Sequence, residues 1–84
     1  MQLIFSPNAT RAMMAMPKKD AAAMMKRLQA IAGAPFGQHA GVQRMKGGVA
    51  FRVRHGDWRA VYRVDRATQQ VIVDTVGHRR EVYR

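Results

Sequence analysis

Cysteine is absent from this chain, and that one absence excludes disulfide frameworks, thiolate nucleophiles and Cys-based zinc sites together. No apolar run approaches the ~20 residues that a membrane-spanning helix needs. The start, Met1 to Phe5, lacks the basic opening, long apolar stretch and small-residue cleavage site of a secretory signal. Low-complexity segments and internal repeats are missing too. These absences predict a cytoplasmic protein without contact to a membrane. Acidic residues are scarce: 5 Asp and Glu stand against 15 Lys and Arg, a formal charge of +10 on 84 residues. Self-repulsion of that size destabilises an isolated compact state, and a polyanionic or acidic partner relieves it. Nucleic acid and an acidic protein partner both meet that description. The length fits one domain over residues 1–84 with a single modest core, so function must lie on its surface.

Read along the chain, Gln2 to Ser6 is a short run of strand formers closed by Ser6-Pro7. Asn8 or Ser6 can cap the helix that follows. There Ala9, Ala12, Met13 and Met16 recur at helical spacing until Pro17 stops the segment. Asp20 can cap or charge a second helix through Ala21 to Ala32, with Met24, Leu28 and Ile31 as its buried stripe and Gly33 and Pro35 ending it. Residues 33–48 are glycine-rich with little periodicity, a loop holding a short edge strand near Gln43 to Lys46. Met13, Met14, Met16, Met24 and Met25 read as adaptable helix packing. After a polar turn at residues 65–69, Gln70 to Val76 is a strongly β-branched strand. The tail Val76 to Arg84 is expected to leave it through Gly77, bringing His78, Arg79, Arg80 and Tyr83 near the arginine-bearing sheet face of the hairpin.

Between them lies the most informative stretch. Phe51 to Val64 reads as two alternating strands joined by a Gly56-Asp57 turn, and a two-residue turn fixes the pairing. His55 then faces Trp58, Arg54 faces Arg59, Val53 faces Ala60, Arg52 faces Val61 and Phe51 faces Tyr62. Arg52, Arg54 and Arg59 share one face. Phe51, Val53, Trp58, Ala60, Tyr62 and Val64 make the other, an apolar surface of the kind helices cover. Like charges directly across a ladder are destabilising, so stability alone does not select an Arg54/Arg59 pair, and an anion is expected between them. The element order β-α-α-β-β-β predicts an α+β fold, two N-terminal helices packed on an antiparallel sheet with the arginine face open.

The pattern Arg52-x-Arg54-x-Gly56-Asp57-Trp58-Arg59-x-Val61-Tyr62, followed by Gly77-His78-Arg79-Arg80-Glu81-Val82-Tyr83, resembles the RelE/ParE superfamily of toxins from type II toxin–antitoxin pairs. Two separated motifs in order, within a matching length and topology, make the resemblance specific over nearly the whole chain. It implies a RelE-like fold and a ribosome-dependent endoribonuclease that cuts mRNA and inhibits translation, with no metal or organic cofactor. It also implies an acidic, RelB-like antitoxin as partner, and operator DNA as a target of the toxin–antitoxin complex.

By resemblance, catalysis falls on Arg52, Arg54, Arg59, Arg79 and Tyr83. Arg59 would clamp phosphate, Arg52 and Arg54 would orient the strand, and Arg79 would reach the leaving-group side. Guanidiniums suit this work because they stay charged and grip phosphate oxygens in a bidentate fork. Ribosome-dependent members often carry lysine where this chain has Arg52 or Arg54, and arginine surrenders no proton, so proton transfer falls to Tyr83 or His78. The alternative within the same fold is a ParE-like inhibitor of DNA gyrase without nuclease activity, since fold does not decide function. A passive nucleic-acid binder, steeply salt-dependent and cutting nothing, is the third reading.

Quieter roles stand beside these. Arg52 and Arg54 as solvated edge charges are weighed against the forced Arg54/Arg59 opposition. Trp58 belongs on the helix-facing side, which favours packing over base stacking. Tyr83 has two readings, an anchor for the tail or the general base. His55 beside the turn and His39 in the loop have the setting of surface histidines rather than metal ligands.

Overall fold

The structure, a computed structural model, describes residues 1–78. A first strand β1 (Gln2–Phe5) leads into helices α1 (Pro7–Ala15) and α2 (Lys18–Gly33), then strands β2 (Val42–Arg44), β3 (Ala50–His55), β4 (Trp58–Asp65) and β5 (Gln70–His78). The strands form one five-stranded sheet in the order β1-β5-β4-β3-β2. The expected two helices on a sheet are present, with one refinement. β1 runs parallel to β5, Gln2 beside Gln70 and Phe5 beside Val73, because the two helices carry the chain back across the sheet before it turns into the meander.

Local chemistry sets the helix ends. Ser6 is the N-cap of α1: its Oγ accepts from the Ala9 amide at 3.0 Å and donates to the Asp74 carbonyl at 2.8 Å, with Pro7 in the first turn where its missing N–H costs nothing. One hydroxyl thus starts α1 and ties it to β5. Ser6→Ala is expected to lose about 1–2 kcal/mol, seen as a lower urea midpoint with an unchanged slope. Asp20 does not cap α2. Pro17 holds the cap position without a side-chain bond, and Asp20 sits in the first turn with its Oδ1 3.6 Å from His55 Nε2.

The core is the layer between helices and sheet. Ala9, Met13 and Met16 from the first helix and its cap meet Met24, Leu28, Ile31 and Ala32 of α2 over Val53, Ala60, Tyr62, Val71, Val73 and Val76. The predicted stripe of α2 is therefore buried as read. Of the methionines read as helix packing, Met14 in α1 departs: it is 81% exposed, because helical spacing carries it away from the face shared by Met13 and Met16. On the sheet, Val53, Ala60 and Tyr62 are buried while Phe51, Trp58 and Val64 are half-buried, since the helices cover the middle of the hairpin but not its ends.

Strand β5 carries an irregularity. Val61 pairs with Thr75 but the next residue, Tyr62, pairs with Val73, so Asp74 is an extra residue in β5, a bulge. The bulge lets Val73 and Val76, three apart, both face the helices. It also lets the Asp74 carboxylate accept from Arg63 Nε at 2.9 Å.

Candidate functional site

The hairpin register matches the sequence expectation pair for pair: His55 with Trp58, Arg54 with Arg59, Val53 with Ala60, Arg52 with Val61 and Phe51 with Tyr62. Gly56 takes φ 58° while Asp57 stays out of the left-handed region, the pattern of a type II′ turn that matches the twist of its strands. Arg52, Arg54 and Arg59 consequently lie on the sheet face away from the helices. They line one shallow cleft of about 300 Å³ with Gly41, Val42 and Gln43.

Each arginine is held differently. Arg59 Nη1 donates to the Gly56 carbonyl at 2.8 Å and the Trp58 carbonyl at 3.1 Å, which fixes one corner of the guanidinium against the turn. Among the described residues its Nε and Nη2 donate to nothing, leaving a fork for an outside acceptor. Arg52 Nη2 donates to Gln43 Oε1 on the neighbouring edge strand. Arg54 is exposed and meets no carboxylate among the described residues. The ion pairs among those residues are His55 with Asp20 and Arg63 with Asp74, neither of which lines the cleft. The result is a concentration of fixed positive charge with open donors on Arg59, an arrangement suited to an anionic ligand.

The edge strand β2 and the turn just before it contribute two residues that sequence reasoning missed. Gln43 stands directly beside Arg52 and steadies it. Gly41 takes φ 75°, and its carbonyl accepts from the Arg54 amide at 3.1 Å. A Cβ there would sit 3.1 Å from the Arg54 carbonyl oxygen. Gly41→Ala is thus both strained and crowded, and is expected to cost roughly 1–3 kcal/mol. Amide shifts confined to β2 and β3 would mark the same change by NMR. The expected edge strand near Gln43 was the available signal for both residues.

Two expectations are corrected at the far end of β5. The strand does not stop at Val76: Gly77 pairs with Arg59 and His78 with Trp58. His78 therefore shares the Trp58 side, its ring edge-on to the indole with centroids 5.6 Å apart, and it is not brought to the arginine face. That removes it as the proton acceptor of the cleft. Burial pushes the Tyr62 phenol above its usual pKa and keeps it protonated within the core, so it takes no such part either. Arg79 and Tyr83 lie outside the described residues.

Residues 3–83 match the family described as the ParE toxin of the type II toxin–antitoxin system, parDE. The chain belongs to that family. Solved structures agree on the fold of this ParE-family toxin. The RelBE2 toxin–antitoxin complex from Mycobacterium tuberculosis matches with 23% identity over 93% of this chain and 96% of that chain, at a TM-score of 0.74. The intact RelBE toxin–antitoxin complex of E. coli matches with 20% identity over 92% and 94%, at 0.79. A YoeB/ParE toxin from Agrobacterium tumefaciens matches with 17% identity over 93% and 98%, also at 0.79. Identities this low establish the shared RelE-like fold. Among curated proteins none matches the chain.

Proposed function

We propose that this toxin is a ribosome-dependent endoribonuclease that cuts mRNA and stops translation in the cytoplasm until an acidic, RelB-like antitoxin neutralises it. The observation that carries the reading is the convergence of Arg52, Arg54 and Arg59 on one cleft without a described carboxylate partner for Arg54 or Arg59. In such a reaction a ribose 2′-oxygen bonds to the adjacent phosphorus as the bond to the leaving 5′-oxygen breaks, and negative charge grows on the phosphoryl oxygens. Arg59, pinned at one corner, would present its free edge to those oxygens. Arg52 and Arg54 would orient the strand on either side, with Gln43 steadying Arg52.

Arg79 would meet the charge on the leaving oxygen. Tyr83 would take the 2′-hydroxyl proton as the general base. With His78 turned to the Trp58 side and Tyr62 in the core, the proton step rests on the tail.

A second reading has its own support: the matching family is that of ParE, and the described part of the cleft offers charge without a proton acceptor. A gyrase inhibitor would use the same arginines, if at all, as a protein-binding surface. Primer extension on a translated mRNA, run beside a gyrase supercoiling assay, separates the two. Cuts that require ribosomes support the nuclease. Inhibited supercoiling with intact mRNA supports the ParE-like activity and overturns it.

A further inference from the structure

One wall of the arginine cleft, formed by Gly41, Val42 and Gln43, has little regular structure of its own. β2 is three residues long, and residues 34–41 before it are turns and irregular chain. Support comes instead from hydrogen bonds that run back to α2 and across to β3. His39 Nε2 donates to the Ala34 carbonyl at the end of α2 at 2.7 Å, and the His39 carbonyl accepts from the Val42 amide at 3.4 Å. Arg27, within α2, reaches 13 residues along the chain and donates from Nη1 to the Ala40 carbonyl at 3.0 Å. One residue later the Gly41 carbonyl takes the Arg54 amide at 3.1 Å. A run of contacts thus links a helix on one side of the sheet to an arginine of the cleft on the other.

Packing does not duplicate these bonds. Between loop, helix and sheet lies an open cavity of about 190 Å³, lined by Arg27, Ala30, Ile31, His39, Ala40 and Val53. The loop therefore spans a space rather than resting on close-packed core, and a bond across that space decides where it sits. Gly41 has little latitude to absorb a shift. Its φ is 75°, and a Cβ there would sit 3.1 Å from the Arg54 carbonyl oxygen and 3.8 Å from Arg27 Nη1. Any settling of Ala40 into the cavity is passed on to Arg54.

We infer that Arg27 is a positioning residue for the cleft: its bond to Ala40 props the loop over the cavity and, through Gly41, holds the β2 wall and the Arg54 backbone where an anion meets them. Arg27 lines the cavity and not the cleft, so it acts through the loop rather than on the ligand. A guanidinium fits this role because its charged, planar N–H group bonds a carbonyl firmly at the end of a long stem. The consequence for anion binding rests on the nuclease reading proposed above, whereas the positioning of the wall does not.

The test compares Arg27→Met, which keeps the stem and drops the donors, with Arg27→Lys, which keeps a donor, and with Lys26→Met, which removes the same charge from the same helix. Each 15N-labelled full chain is read first without ligand. Arg27→Met should shift the amides of Gly41, Gln43 and Arg54 and speed hydrogen exchange at Arg54, with β4 and β5 unmoved. Titration with inorganic pyrophosphate at physiological salt should then show binding weakened about fivefold, the worth of one hydrogen bond. Arg27→Lys should restore both readouts, and Lys26→Met should leave the Arg54 amide as it is in the native protein. Unmoved amides at residues 41–43 and 54 in Arg27→Met would overturn the inference. So would weakened pyrophosphate binding without change at Arg54, which would place Arg27 on the anion itself, or the same amide changes in Lys26→Met. Absence of pyrophosphate binding by the native protein would count against the nuclease reading, and the ligand-free amides would still decide the role of Arg27.

Discussion

Expression of the Arg59→Ala variant is expected to leave cells growing while the domain keeps its fold. Arg59 is the arginine whose guanidinium is pinned by two backbone carbonyls, Gly56 and Trp58, so its free edge is pre-organised before any substrate arrives. Removing one pre-organised donor to a developing oxyanion typically costs about 10²–10³-fold in rate, enough to turn arrest into growth. Stability should move little. The lost bonds go to carbonyls at an exposed turn that water can satisfy, and the like-charge opposition with Arg54 disappears at the same time. Colony counts on induction, paired with a urea midpoint, check both halves. Undiminished arrest in a normally folded variant would remove Arg59 from the site.

Leu28→Ala has the opposite signature. Leu28 is fully buried between α2 and the sheet, and truncation there leaves a cavity in the only layer that holds helices to strands among the described residues. The expected loss is about 3 kcal/mol, which for a domain of this size lowers the melting temperature by roughly 15 °C. That is a large share of the total, because small domains are marginal to begin with and the excess of positive charge adds repulsion. Toxicity should fall with the folded fraction and return at lower temperature, whereas the Arg59→Ala defect should persist at every temperature at which the protein is folded. Calorimetry and growth at two temperatures separate the two behaviours.

The sheet shows why some of this was readable and some was not. The Gly56-Asp57 turn fixes register by covalent geometry, so five cross-strand pairs and the common face of Arg52, Arg54 and Arg59 follow from local sequence. The α2 stripe of Met24, Leu28 and Ile31 follows from helical periodicity in the same way. The register of β5 had no such anchor, its turn being longer. Its cue was subtle: valines alternate at 71 and 73 and then slip to 76, the trace of an extra residue at Asp74. The parallel partnership of β1 depends on how two helices return the chain, a tertiary outcome that a strand's own residues do not encode. His78 was misplaced because Gly77 looked like an exit from the strand, whereas Gly77 stays paired with Arg59 and keeps His78 on the Trp58 side. The cleft was incomplete in sequence for a related reason. Gln43, on a three-residue edge strand, meets Arg52, and Gly41, just before that strand, meets the Arg54 amide, contacts set only when the hairpin is in place.

At the centre of the proposed nuclease is a cluster of guanidiniums whose mutual repulsion would be tolerated because phosphate belongs among them. The most direct test is the melting temperature of the native protein and of Arg54→Thr in chloride and in phosphate at matched ionic strength. In chloride the variant should melt higher, by an amount equivalent to about 0.5 kcal/mol, because relieving the Arg54/Arg59 opposition with a good strand former stabilises the hairpin. Phosphate should then raise the native protein more than the variant and narrow or reverse the gap. Equal stabilisation of both by phosphate, with the variant melting below the native protein in chloride, would contradict the claim.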